Sequence, residues 1–328
     1  MLPLFILVSM IVLATSTVMA VFTNSFIIAV NLMDKAKSKN LSPSDLIVVT
    51  LCVSNIFFQL IMLVNDYMSF VCADIYFTDE VYTIATVLLM LPIYCSFWFT
   101  VCLSVNYYLQ IVIATHPFLI RLKLAAAQLV PWLIMASVFI SFVTGIPAYW
   151  NFQTDPPNVN MSTNESSEIS VPSLNVVYLL PSTLINCSLP LVLVGVANGL
   201  IIKSLVSRTQ NSDRNANGEP SAHAEGRVRA ARTISCLLLL YICFYISEVL
   251  LFIEIFPQSS PGFCTCLMII YGYSPAQSIV LILGSPKLKQ VSLSLFHCVG
   301  GTSKGNPKMP TVLFIKLRMT KTVNLPAN

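Results

Sequence analysis

Residues 83–113 read TIATVLLMLPIYCSFWFTVCLSVNYYLQIVI and hold no Asp, Glu, Lys or Arg. A bilayer core about 30 Å thick is crossed by roughly 20 apolar residues in a helix. The run therefore reads as a transmembrane helix with length to spare. Six further long apolar runs, with Asp66, Lys203 and Glu248 as their only charged residues, lie at 5–32, 46–70, 129–149, 174–203, 233–253 and 263–283. They dominate a chain of 328 residues that is 56% hydrophobic and 10% charged, against about 25% charged in ordinary soluble domains. Mean hydropathy is +0.78. A closed barrel fits poorly, because its strands are about 10 residues long and alternate in polarity. The expected fold is an all-α integral membrane protein. Seven transmembrane helices form a bundle over residues 1–290, and a C-terminal tail runs from 291 to 328.

Charge orients this bundle. All 18 Lys and Arg residues fall in segments on one side: the first loop (Lys35, Lys37, Lys39), the third (Arg121, Lys123), the fifth with its helix ends (Lys203 to Arg232) and the tail (Lys287 to Lys321). The opposite loops carry only acids: Asp74, Asp79, Glu80, Asp155, Glu165 and Glu168. Basic loops stay in the cytosol, which places the N-terminus outside in a multi-pass plasma-membrane protein. The first run lacks the basic start and short apolar core of a signal peptide, so it is expected to stay as the first helix. Asn160 and Asn164 head Asn-x-Ser acceptors in the longest outer loop and are expected to be glycosylated. Of 10 cysteines, only Cys72, Cys264 and Cys266 lie near the outer face. One bridge from Cys72 to the seventh span is the pairing left open.

The chain holds no His-Glu-x-x-His, Gly-x-Ser-x-Gly, Walker or Cys-x-x-Cys spacing, and His116, His223 and His297 all lie in cytosolic parts. No enzyme, cofactor or metal is expected. Secondary transporters carry internal repeats and ionisable groups near the midplane; seven spans do not halve, and no basic residue lies there. A seven-helix receptor remains.

One carboxyl stands out on physical grounds. Glu248 lies about fifteen residues, roughly 22 Å at 1.5 Å per residue, from the cytosolic start of the sixth span, still within the outer part of the hydrocarbon. An intramembrane carboxyl is costly unless it faces a polar cavity or finds a partner, and every Lys, Arg and His is on the other side. Three readings stay open: Glu248 pairs with a cationic ligand, is protonated or hydrogen-bonded to Tyr245, Tyr271 or Asn186, or reaches outward to the interface. The first predicts a site that takes neutral or basic compounds and rejects anions. Asp66, Tyr67, Tyr94 and Tyr178 line the same cavity or anchor the interface. Pro92, Pro131, Pro190 and Pro275 free carbonyls inside spans.

Local patterns resemble the type 2 (bitter) taste receptors. They are Leu41, Ser42 and Asp45, then Ser54, Asn55 and Gln59, around the second span; Leu103, Ser104, Tyr107, Leu109 and Ile111, then His116 and Pro117, from the third; Pro190 and Leu200 to Leu205 in the fifth; His223, Arg232, Thr233 and Leu237 to Tyr241 in the sixth; and Ser278, Leu281 to Gly284 and Lys287 to Gln290 at the seventh. The vomeronasal type 1 family is the alternative within receptors and fits the third and seventh helices less well; a small-molecule transporter is the alternative outside them. The sequence departs from the family pattern at Asn55 (Arg), Asn106 (Phe), Gln110 (Lys), Gln277 (His) and Ser285 (Asn).

The resemblance implies a chemosensory G-protein-coupled receptor for small bitter molecules. They would bind in the outer half of the bundle at Leu89, Ile93 and Leu267, with Glu248, Tyr271, Asp66, Tyr94 and Asn186 as polar candidates. It makes Tyr241 the candidate activation switch, with Asn55 and Tyr107 beside it. Expected partners are a neutral or cationic organic ligand, a heterotrimeric G protein on the cytosolic face and membrane lipid, with no nucleic acid.

Overall fold

The computed structural model describes residues 4–36, 41–76, 78–111, 117–153, 173–214, 222–253, 255–257 and 260–299. It divides into two compact units, Met1–Gly284 and Ser285–Asn328. Among the described residues, seven helices are long and apolar enough to cross a membrane.

In the first unit the order is α1 (Leu4–Ala36), α2 (Pro43–Val71), the short α3 (Ala73–Tyr76), α4 (Asp79–Ile111), α5 (Pro117–Gly145) and a 3-10 turn (Ile146–Asn151). A two-residue antiparallel ladder follows, β1 (Phe152–Gln153) against β2 (Ser173–Leu174). Then come α6 (Val176–Thr183), a π-turn (Leu184–Ser188), α7 (Leu189–Arg214), α8 (Ala222–Phe252) and α9 (Pro261–Gly284). The second unit holds α10 (Pro286–Val299), where the Ser285 carbonyl takes the Lys289 N–H at 2.9 Å.

Local chemistry sets the helix starts. Ser42 caps α2 by accepting the Asp45 N–H at 3.1 Å, and Pro43 occupies the first turn, where its missing N–H does no harm. Asp79 and Glu80 open α4 at the positive end of its dipole. The helices run past the expected limits at their basic ends. The fifth span was expected to stop at 203 but α7 reaches Arg214, and the sixth was expected from 233 but α8 begins at Ala222. Hydropathy marks where lipid ends, whereas backbone hydrogen bonding continues into water.

The spans associate through what they bury. α4 is the hub, packed against α2, α5, α7 and α8, while α9 packs on α1, α2 and α8. Small polar side chains point inward and apolar ones, such as Phe22, Phe139 and Trp132, point out to lipid. Thr23 of α1 and Ser278 of α9 share a 2.5 Å hydrogen bond, and Ser54 of α2 donates to the Pro92 carbonyl of α4 at 2.8 Å. Gly284 lets α9 approach α8 closely: a methyl group there would collide with the Thr233 hydroxyl and come within 2.8 Å of its Cγ2.

The bridge left open from Cys72 is not formed; Cys72, Cys264 and Cys266 are all free thiols. The first outer loop is fixed instead by Tyr76, whose hydroxyl donates to Asn65 and whose ring meets Tyr82 edge-on at 5.8 Å. Burial, with the nearby Tyr82, pushes the Tyr76 phenol up to about 12, so it stays a neutral donor at physiological pH. Tyr82 in turn meets Phe152 of β1 at 6.2 Å.

Candidate functional site

Pro190 has no N–H, and its ring would collide with the carbonyl of Asn186 in a regular α-helix. The chain answers with one wider turn: across Leu184–Ser188 the Leu189 N–H reaches back five residues to the Leu184 carbonyl. This π-turn rotates Asn186 and Cys187 into the bundle, 0% and 1% exposed. The Tyr241 hydroxyl of α8 donates to the Cys187 carbonyl at 2.6 Å.

Tyr241 is completely buried. Its ring stacks on Phe97 of α4 with centroids 4.0 Å apart, and Phe244 and Tyr273 close around Phe97 edge-on at 5.4 and 6.3 Å. These rings join α4, α8 and α9 within a larger buried cluster, which also takes in Tyr94, Cys187 and Tyr271 and against which Leu89, Ile93, Tyr178 and Tyr245 pack. Leu267 is half-buried on α9 and lies outside the cluster.

Glu248 is half-buried on α8, and its neighbour is none of the three expected. Its Oε2 accepts from Cys187 Sγ at 3.9 Å. Tyr245 instead shares a 2.8 Å hydrogen bond with Ser188, Tyr271 donates to Asp66 Oδ2, and Asn186 is held by Thr144 (2.8 Å), the Ser182 carbonyl (2.9 Å) and the Trp98 indole (3.4 Å). The cause is the π-turn, which swings Cys187 toward α8 and Asn186 toward α5. Tyr94 is likewise committed, 3.1 Å from the Ser182 hydroxyl. The structure thus gathers Tyr94, Asn186, Glu248 and Tyr241 around one turn of the fifth span and sets Asp66 with Tyr271 as a separate pair. Cys187, Ser182 and Thr144 were missed by sequence reading. The available signal was Pro181 and Pro190 bracketing one span.

Below this turn a polar belt crosses the bundle. Asn55 of α2 donates to Gln277 Oε1 of α9 at 2.7 Å and to Asn24 of α1 at 3.4 Å, and accepts from Ser96 of α4 at 3.3 Å. Gln277 Nε2 donates onward to the Tyr273 hydroxyl at 3.1 Å. A cavity of about 10 Å³ lies beside Asn55, lined also by Ile93, Ser96, Phe97 and Tyr273; it has room for at most about one water molecule, not for an organic ligand. At the basic end Tyr107 belongs to a different cluster, packed against Ile111, Ile201 and Ala231. Near it the Ser44 hydroxyl accepts from both Asn106 (2.8 Å) and Gln110 (3.1 Å). Asn160 and Asn164 lie outside the described residues.

The sequence profile described as Taste receptor protein (TAS2R) matches residues 1–300. Similar proteins include taste receptor type 2 member 40 of Gallus gallus, 31% identical over 287 residues, which is 86% of this chain and 92% of that protein. Taste receptor type 2 member 39 of Macaca mulatta is 29% identical over 302 residues, 90% of this chain and 88% of the relative. Member 7 from the same species is 27% identical over 301 residues, with 86% and 90% covered.

Proposed function

This chain belongs to the type 2 taste receptor family, and on that premise we propose that it detects small neutral or cationic molecules in the acid-bearing outer half of its bundle. It is a chemosensory, G-protein-coupled, multi-pass membrane protein of the bitter taste receptor family and not an enzyme. Membership of that family displaces the vomeronasal and transporter alternatives. The acid-bearing loops face outward, and the basic face meets a heterotrimeric G protein and inner-leaflet lipid.

The observation that carries this reading is a chain of contacts through one residue: Cys187 offers its thiol to Glu248 and its carbonyl to Tyr241. A ligand ammonium drawn to Glu248 competes with the thiol for the carboxyl. Withdrawal of the carboxyl changes what holds the π-turn, and the π-turn holds Tyr241. A helix segment with two backbone arrangements is a two-state element, and a ligand that favours one of them shifts the population. The walls supplied by Leu89 and Ile93 are apolar, so shape and hydrophobic contact select among neutral ligands.

Agonist-dependent nucleotide exchange, measured in membranes against a panel of neutral, cationic and anionic compounds, tests the proposal. Neutral and cationic compounds are expected to activate. Glu248→Gln should weaken the cationic ones about tenfold or more and spare the neutral ones. Potent activation by an anion that persists in Glu248→Gln would sink the ligand-charge assignment.

A further inference from the structure

Pro275 has no N–H, so the carbonyl of Tyr271 four residues earlier loses its helical donor. Gln59 of α2, 0% exposed, supplies another: its Nε2 donates to that carbonyl at 3.1 Å, while its Oε1 accepts from Thr17 of α1 at 3.1 Å. The Tyr271 hydroxyl donates to Asp66 Oδ2, two turns further out on the same face of α2. One tyrosine thus pins α9 to α2 at both of its ends and holds the Asp66 carboxyl toward the bundle. Tyr271 is 2% exposed and belongs to the same buried cluster as Cys187. Asp66 and Glu248 therefore border one cluster from two helices, Asp66 through Tyr271 and Glu248 through Cys187.

Helix geometry gives their spacing. Ser96 bonds to Asn55 and the next residue, Phe97, stacks on Tyr241, so Asn55 of α2 and Tyr241 of α8 lie at the same depth. Outward from that layer Asp66 is about 16 Å along α2 and Glu248 about 10 Å along α8, at 1.5 Å per residue. α9 packs on both helices, and packed helices stand about 8–10 Å apart, which sets the two carboxyls on the order of 10 Å from each other. Carboxylates so far apart cannot share one metal ion, whose oxygen ligands lie within about 2.6 Å. Neither has a protein cation for company: residues 40–115 and 233–286, which carry both acids and α9, hold no Lys, Arg or His. Asp66 is answered by a neutral phenol, and the partner of Glu248 among the described residues is a weak thiol donor.

We infer that the ligand best suited to this bundle is a slender dication, with one ammonium at Glu248 and the other at Asp66. The inference rests on the receptor reading above and deepens it by naming a second charge on the ligand and the residue that takes it. An ammonium at Asp66 displaces the Tyr271 hydroxyl, as one at Glu248 displaces the Cys187 thiol. A bridging molecule therefore loosens α9 from α2 at one end and the π-turn from α8 at the other. Once the first ammonium is seated, the second contact is intramolecular, with an effective concentration of roughly millimolar when the spacer matches the span.

The probes are unbranched diaminoalkanes of graded length, each compared with the monoaminoalkane of the same chain, in nucleotide exchange driven by the full chain in membranes. Potency ratios are read within one variant, so differences in folding or expression cancel. On wild type the diamine should be about tenfold the more potent at one intermediate length, with the advantage lost in shorter and longer members. Asp66→Asn and Glu248→Gln should each flatten that profile to parity. Tyr271→Phe removes the phenol that the ligand displaces and should raise the peak ratio a few-fold. A wild-type ratio with no optimum in length, an optimum that survives in Asp66→Asn, or a lower peak in Tyr271→Phe overturns the inference. If monoamines and neutral compounds activate while no diamine gains over its monoamine, this inference alone falls. If no compound of any charge drives exchange, the receptor reading fails and takes this inference with it.

Discussion

Asn55 on α2 donates to Gln277 on α9 across 2.7 Å, and both residues are departures from the family pattern, which has Arg and His there. In this chain the two side-chain amides answer each other. Asn55→Leu should destabilise the receptor by about 1–3 kcal/mol, because it leaves the buried Gln277 Oε1 without its Asn55 donor. The Asn55→Leu, Gln277→Leu double variant should lose less than the sum of the two single changes. Thermal unfolding in nanodiscs measures this, and strict additivity would refute the pairing.

Two more departures converge on one hydroxyl. Asn106 and Gln110 both donate to Ser44, tying the basic ends of α2 and α4 together where the family pattern has Phe and Lys. Ser44→Ala should release both and cost about 1 kcal/mol. If the tie belongs to the resting state, basal nucleotide exchange rises in Ser44→Ala and rises no further when Asn106→Ala is added. An unchanged basal rate would assign the tie to stability alone.

Tyr241→Phe keeps the 4.0 Å stack on Phe97 but drops the hydrogen bond to the Cys187 carbonyl. Stability should fall by about 1 kcal/mol. Agonist efficacy should change more than potency, because the hydroxyl is bonded to the π-turn and not to Glu248, where the proposed ligand is drawn. Dose-response curves that shift only along the concentration axis would contradict this.

Gly284→Ala places a methyl against Thr233. Overpacking of this kind typically costs about 1–3 kcal/mol, and adding Thr233→Ala should recover part of the loss. A Gly284→Ala variant with unchanged melting temperature would show that the helices separate there without penalty.

The seven spans were legible because each depends only on local composition. Helix ends were not: the stretch from Lys203 to Arg214 is polar by hydropathy but helical by hydrogen bonding. Within the site, the sequence singled out Glu248 and Tyr241 but could not join them. Their link is Cys187, turned inward by an extra residue in one helical turn, and a 3.6-residue periodicity assumes that no such residue exists. Asn55 and Gln277 were each visible as departures; 222 positions separate them, and only the packing of α2 on α9 makes them a pair.

The void beside Asn55 has a kinetic consequence. At about 10 Å³ it is far smaller than the roughly 300–1,000 Å³ of typical ligand sites, so any compound reaching down between Ile93 and Tyr273 must wait for the aromatic cluster to part. Its observed association rate should level off with rising concentration at the opening rate of the bundle. Compounds that stay above the cluster should bind with no such plateau, so stopped-flow traces alone would report how deep each agonist goes.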